Sequence, residues 1–97
     1  MEELYFEWDE DKRKSNIIKH GVDFADVVSI FYEESTLTIA DPRHYDEERY
    51  IALGLDAKTR LVVVVHVYRD EDVIRIISAR LADFKEKQQF EQVNYGR

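Results

Sequence analysis

The chain has 97 residues, 44% of them hydrophobic and 36% charged, with a formal net charge of −7, which is the composition of one folded domain (1–97) rather than of a disordered segment. It contains no cysteine, so disulfides and thiolate metal sites are excluded. No apolar run approaches the roughly 20 residues of a membrane span, and no signal-peptide pattern opens the chain, so a cytoplasmic protein with no membrane partner is expected.

The acidic total argues against a nucleic-acid binder, but the charge is unevenly placed. Residues 1–48 carry five Lys/Arg against fourteen Asp/Glu, whereas residues 49–97 carry nine against seven. A locally positive surface on the second half is therefore compatible with the total.

In chain order, Leu4, Phe6 and Trp8 alternate with polar neighbours and predict a first strand. Asp9 is placed to cap a helix that stops at Gly21, with Lys19 and His20 in its last turn, where the helix dipole favours cations. Asp23 caps a second helix whose Phe24, Val27, Val28 and Phe31 form a core-facing stripe. Ser35 to Asp41 predicts another strand, and Pro42 opens a polar loop through Glu48. Three β-branched runs follow, Arg49–Leu55, Arg60–Tyr68 and Asp72–Arg80, with the middle one apolar enough to be covered on both faces. Asp83 and Glu86 form a capping box for a last helix, whose Phe84, Phe90, Val93 and Tyr95 make no clean stripe. The order β-α-α-β-β-β-β-α is an α+β domain with a mostly antiparallel sheet packed by helices.

If Asp56 to Thr59 is the first hairpin turn and Asp70–Glu71 centres the second, Arg49, His66 and Arg75 stand side by side on one face. A bulge would break this row, because a slip of one residue turns every side chain over. Two arginines flanking an imidazole can bind a phosphate and move a proton, or the arginines can simply pair with Asp41, Glu47 and Glu48. Arg80 is expected on the face opposite Arg75, most simply in an ion pair. His20 and His44 are the other imidazoles. No HxH, HExxH, Walker-type, GxSxG or dinucleotide pattern occurs, so neither a metal nor a cofactor is expected.

Four ordered stretches carry a family resemblance: FEWDEDKRKSNIIKHGVDF (Phe6 to Phe24), DPRHYDEERYIALG (Asp41 to Gly54), VVVVHVYRDEDVIRIISAR (Val62 to Arg80) and the final charged helix. Together they resemble the BrnT family, toxins of bacterial type II toxin–antitoxin systems. The resemblance implies a fold similar to RelE-like ribonucleases and RNA as the substrate. It also implies neutralisation by a cognate BrnA-like antitoxin through which operator DNA is contacted only indirectly, and it is compatible with a dimer of toxin–antitoxin heterodimers. The family's recurrent polar residues match Lys19, His20, Arg43, His44, Glu48, Arg49, His66, Arg75 and Arg80. The family's last helix is often strongly basic, whereas here Lys85 and Lys87 are offset by Asp83, Glu86 and Glu91.

RNA supplies its own nucleophile, the 2′-hydroxyl. A ribonuclease then needs a base, an acid, and cations for the charge growing on phosphorus. On this reading Arg49, Arg75, Arg80 and Lys19 supply charge, His66 or Glu48 moves protons, and His20, Arg43 and His44 hold RNA. The alternatives are a non-enzymatic module that binds an antitoxin and co-represses its operon, and an inactive relative of the toxins.

Overall fold

The computed structural model describes residues 3–43 and 46–96. Strand β1 (Tyr5–Glu7) leads into α1 (Glu10–His20), α2 (Phe24–Val27) and a 3-10 turn (Val28–Tyr32). Strands β2 (Leu37–Ala40), β3 (Tyr50–Leu55), β4 (Leu61–Tyr68) and β5 (Val73–Leu81) follow, and α3 (Phe84–Asn94) closes the described chain. The sheet order is β1-β5-β4-β3-β2, antiparallel except where β1 runs parallel to β5. The α+β class and element order are as expected.

The helix ends lie where their capping chemistry puts them. The Asp9 carboxylate accepts from the Lys12 backbone N–H at 3.0 Å, and Gly21 adopts φ 70°, where its N–H reaches the Ile17 carbonyl. Asp23 caps α2, and the reciprocal box of Asp83 and Glu86 starts α3. The second helix is shorter than its apolar stripe suggests. After Val27 the chain tightens into the 3-10 turn, which brings Ile30 into the core and leaves Val28 and Phe31 half-buried.

Strand β4 is covered on both faces. On one, Val62 and Val64 pack with Ala52, Ile76 and Ala79 beneath Val22, Phe24, Val27 and Ile30. On the other, Val63 and Leu53 pack under Phe90, the one α3 side chain fully sunk into the sheet among the described residues. Elsewhere on α3, Phe84 and Val93 are exposed, which explains why that helix shows no clean stripe. Among the described residues no helix is long and apolar enough to cross a membrane.

The register differs from expectation by one residue. The β3–β4 hairpin closes through Ala57, Lys58 and Thr59, with Asp56 N–H bonding to the Arg60 carbonyl and Thr59 at φ 62°. A left-handed residue ending a three-residue loop adds one position relative to an even loop. Leu53 therefore faces Val63, and His66 faces Tyr50 rather than Arg49. A second irregularity follows in β5: Val65 pairs with Ser78 but His66 with Ile76, so Ile77 is a bulge residue.

Candidate functional site

The two shifts undo the row of Arg49, His66 and Arg75. His66 falls on the face covered by the N-terminal helices, fully buried, with its ring edge-on to Phe31 at 4.8 Å and to Tyr68 at 5.3 Å. Burial pulls its pKa down to about 4, so the imidazole is neutral at physiological pH. His66 pairs with Ile76 while Arg75 pairs with the next residue, Val67, on the opposite face, and it is not open to a substrate.

The Ile77 bulge has a second effect. Because the extra residue restores the parity, Arg75, Ser78 and Arg80 stand opposite Val67, Val65 and Val63, on one face of the sheet. Arg80 was expected on the reverse side from Arg75; the bulge corrects this.

On that face, beside the first turn of α3, lies a cleft of about 320 Å³ lined by His20, Arg43, Ile51, Val63, Val65, Ser78, Arg80 and Glu86. This is at the lower end of the roughly 300–1,000 Å³ typical of ligand sites. Its floor is the apolar surface of Ile51, Val63 and Val65, and its rim is polar. Each rim group is placed by a distinct local device. His20 ends α1, which is tied to β5 by Asn16: its Nδ2 donates to the Ala79 carbonyl at 2.8 Å, and its Oδ1 accepts from the Ala79 N–H at 3.2 Å. Arg43 is held by Asp41, whose buried carboxylate accepts from Nε at 3.0 Å and Nη2 at 2.8 Å. Arg80 donates to both oxygens of Glu86, at 2.9 and 2.8 Å, and to the Leu81 carbonyl.

Glu86 is itself fixed as the third helical residue of α3, where it accepts from the Asp83 N–H at 2.8 Å. The Arg80 guanidinium holds this carboxyl below its ordinary range, and Glu86 in turn raises Arg80, so both are charged across the whole working pH range.

The remaining sequence candidates lie elsewhere. Lys19 is exposed, one residue before His20, and does not line the cleft. Glu48 is exposed and accepts from the Tyr50 hydroxyl at 3.3 Å, and its charge holds that hydroxyl above its ordinary range. Arg49 and Arg75 share the cleft's face of the sheet but lie farther along it, beside Val67. Arg75 contacts Glu7 at 3.1 Å, and Arg49 approaches Glu47 at 3.8 Å. His44 lies outside the described residues. Of the nine candidates, then, His20, Arg43 and Arg80 come together. Ser78 and Glu86 join them without having been singled out for a site; the only signal for Glu86 was its fixed place in the capping box, directly after the strand that carries Arg80. Among the described residues no three side chains of the His, Cys, Asp or Glu type gather as metal ligands.

The family model described as "Ribonuclease toxin, BrnT, of type II toxin-antitoxin system" matches residues 8–86. The chain belongs to the BrnT family. The structure is also similar to the crystal structure of the ribonuclease toxin BrnT from Brucella abortus, with a TM-score of 0.64 and 31% identity, over 82% of this chain and 97% of that one. No curated protein sequence matches the chain. The matched span covers Asp41 to Gly54 and Val62 to Arg80 in full, most of Phe6 to Phe24 and the start of the final helix, and it includes all the residues that line the cleft.

Proposed function

We propose that this BrnT-family protein is a metal-independent endoribonuclease that arrests growth by cutting RNA in the cytoplasm, and that a BrnA-like antitoxin encoded beside it neutralises it. The observation that carries this reading is the convergence of His20, Arg43 and Arg80 around one cleft on an otherwise acidic protein. In this arrangement a scissile phosphate sits between the two arginines, which take up the charge that grows on its oxygens as the 2′-oxygen attacks. His20 is the proton carrier at the rim: its imidazole takes the 2′-hydroxyl proton as the 2′-oxygen bonds to phosphorus and returns it to the 5′-oxygen as the P–O5′ bond breaks, leaving a 2′,3′-cyclic phosphate. The phosphate displaces Glu86 from Arg80, exchanging one charge-assisted pair for another. The acidic mouth lined by Glu3, Glu71 and Asp72 lies at the far end of β5 and repels a polyanion.

The proposal departs from the sequence-based roles at His66 and Glu48, which have no part in the cleft. Arg49 and Arg75 act away from the scissile phosphate, and Lys19 contributes only general positive charge beside His20. Operator DNA is met through the antitoxin, in a complex built as a dimer of toxin–antitoxin heterodimers.

A second reading, a non-enzymatic module that only holds an antitoxin, is favoured by the apolar furrow beside α3 lined by Leu37, Ile39, Ile51, Leu53, Val63 and Val93. Induced expression in bacteria separates the two. The ribonuclease reading expects growth arrest with loss of total RNA, relieved by Arg80→Gln and by co-expressed antitoxin. Unimpaired growth with folded protein would leave the binding module and the inactive relative.

A further inference from the structure

The cleft lies on the sheet face against which α3 packs, and a second group of cations occupies the far end of that face. Arg69, at the end of the β4–β5 hairpin, lies between two carboxylates. Its Nε is 3.8 Å from Glu7, and its Nη1 is 3.8 Å from Glu47. Glu7 also contacts Arg75 at 3.1 Å, and Glu47 contacts Arg49 at 3.8 Å. The result, among the described residues, is a chain of Arg75, Glu7, Arg69, Glu47 and Arg49 beside the buried Val67. Arg69 is the most open of the three, with 52% of its side chain exposed, and both of its contacts are long. A group held this loosely in water gains little from its carboxylate partners, so a phosphate can compete for it.

Between the two cationic ends the face carries Val65 and Ser78, both half-buried and small, and no acidic side chain of β4 or β5 intervenes. From Arg75 to Arg80 along β5 is roughly 15 Å at the usual rise per strand residue. Beyond Arg69 the hairpin tip turns acidic with Asp70, Glu71 and Asp72, which ends the cationic track.

We infer that Arg69 and Arg75 form a second phosphate subsite, so that the substrate is a single-stranded RNA laid along this face with one phosphate in the cleft and another, not adjacent to it, at Arg69. This rests on the reading of the cleft as the RNA site. It also explains how an acidic protein retains RNA: the cations are few, but they are spaced along one strand's path. A double helix fits poorly, because α3 rises from the same face beside the cleft.

The test is the salt dependence of binding for 2′-O-methyl RNA oligonucleotides of two and six nucleotides, which cannot be cleaved. For single strands the slope of log K against log salt falls by about 0.7 for each phosphate neutralised. With the wild-type protein the hexanucleotide is expected to show a slope steeper by about 0.7 or more than the dinucleotide. Arg69→Gln, and separately Arg75→Gln, should remove that increment and weaken the hexanucleotide several-fold while leaving dinucleotide binding as it was. Thermal unfolding of each variant identifies one that has merely lost its fold, and Arg69→Lys, which keeps the charge, should restore most of the slope. If the wild type binds both lengths with one slope, or Arg69→Gln keeps the steeper one, the second subsite is wrong while the cleft stands. If the wild type binds neither oligonucleotide, the cleft reading fails and this inference with it.

Discussion

Asn16 on α1 pairs with both backbone groups of Ala79 on β5, in the way a neighbouring strand would. Strand β1 pairs only with Val73 to Arg75, so the rest of β5 would be an open edge. The carboxamide fills it, and the same Nδ2 also donates to the Val22 carbonyl at 2.8 Å just past the helix end. Because Ala79 lies between Ser78 and Arg80, this one side chain sets the position of His20 relative to the cleft.

Replacing Asn16 with Ala strands the buried N–H and carbonyl of Ala79 and the carbonyl of Val22. Unpaired buried groups cost about 1–3 kcal/mol each, so a total loss of about 3 kcal/mol is expected, less than the sum because water reaches part of the gap. Urea denaturation at pH 7 measures it. A loss below about 0.5 kcal/mol would mean that α1 is held by its apolar contacts alone.

His66 makes stability depend on pH. Its folded pKa of about 4 lies below the ordinary value of 6.5, so between those limits the unfolded chain binds more protons and stability rises with pH. Stability is therefore fully present above about pH 6.5 and is lost as pH falls toward 4, by about 3 kcal/mol in all at 1.36 kcal/mol per pKa unit. Denaturation of wild type and His66→Phe at pH 7, 5.5 and 4.5 isolates this part. The variant should lose less stability on acidification, and parallel curves would refute the assignment.

Thr59 holds a left-handed backbone, φ 62°, which a β-branched residue adopts only at a cost. Thr59→Gly should raise stability by about 0.5–1 kcal/mol, the strain relieved exceeding the added freedom of the unfolded chain. A fall in melting temperature would show that the turn gains more from the Thr59 side chain than its backbone loses.

Glu86→Gln retains a residue suited to the capping box but removes the charge that holds Arg80. Stability should change by less than about 1 kcal/mol, as for other partly exposed pairs. RNA affinity should rise several-fold, because phosphate no longer competes with a carboxylate. Weaker binding by the folded variant would instead make Glu86 a positioning residue for Arg80.

The elements were legible in the sequence because their ends are written in single residues: Asp9 and Gly21 for α1, Asp23 for α2, Asp83 and Glu86 for α3. The register was not. It depends on the backbone angle of Thr59, a residue type that gives no hint of a left-handed turn, and on an Ile77 bulge inside an unbroken apolar run. Both shift side chains by one place, which is enough to bury His66 and to align Arg80 with Arg75. The meeting of His20, Arg43 and Arg80 depends on contacts between distant segments, such as that of Asn16 with Ala79, that no local spacing encodes.

The most direct test is cleavage of an all-ribose RNA by the purified protein in EDTA, read at single-turnover protein excess, beside an equally folded Arg80→Gln variant. Metal-free cleavage is expected, leaving 2′,3′-cyclic phosphate ends and slowed about 100-fold or more by the substitution, as for loss of a group that stabilises transition-state charge. Cleavage only when a divalent metal is restored, or an Arg80→Gln variant that cuts at the wild-type rate, would contradict this expectation.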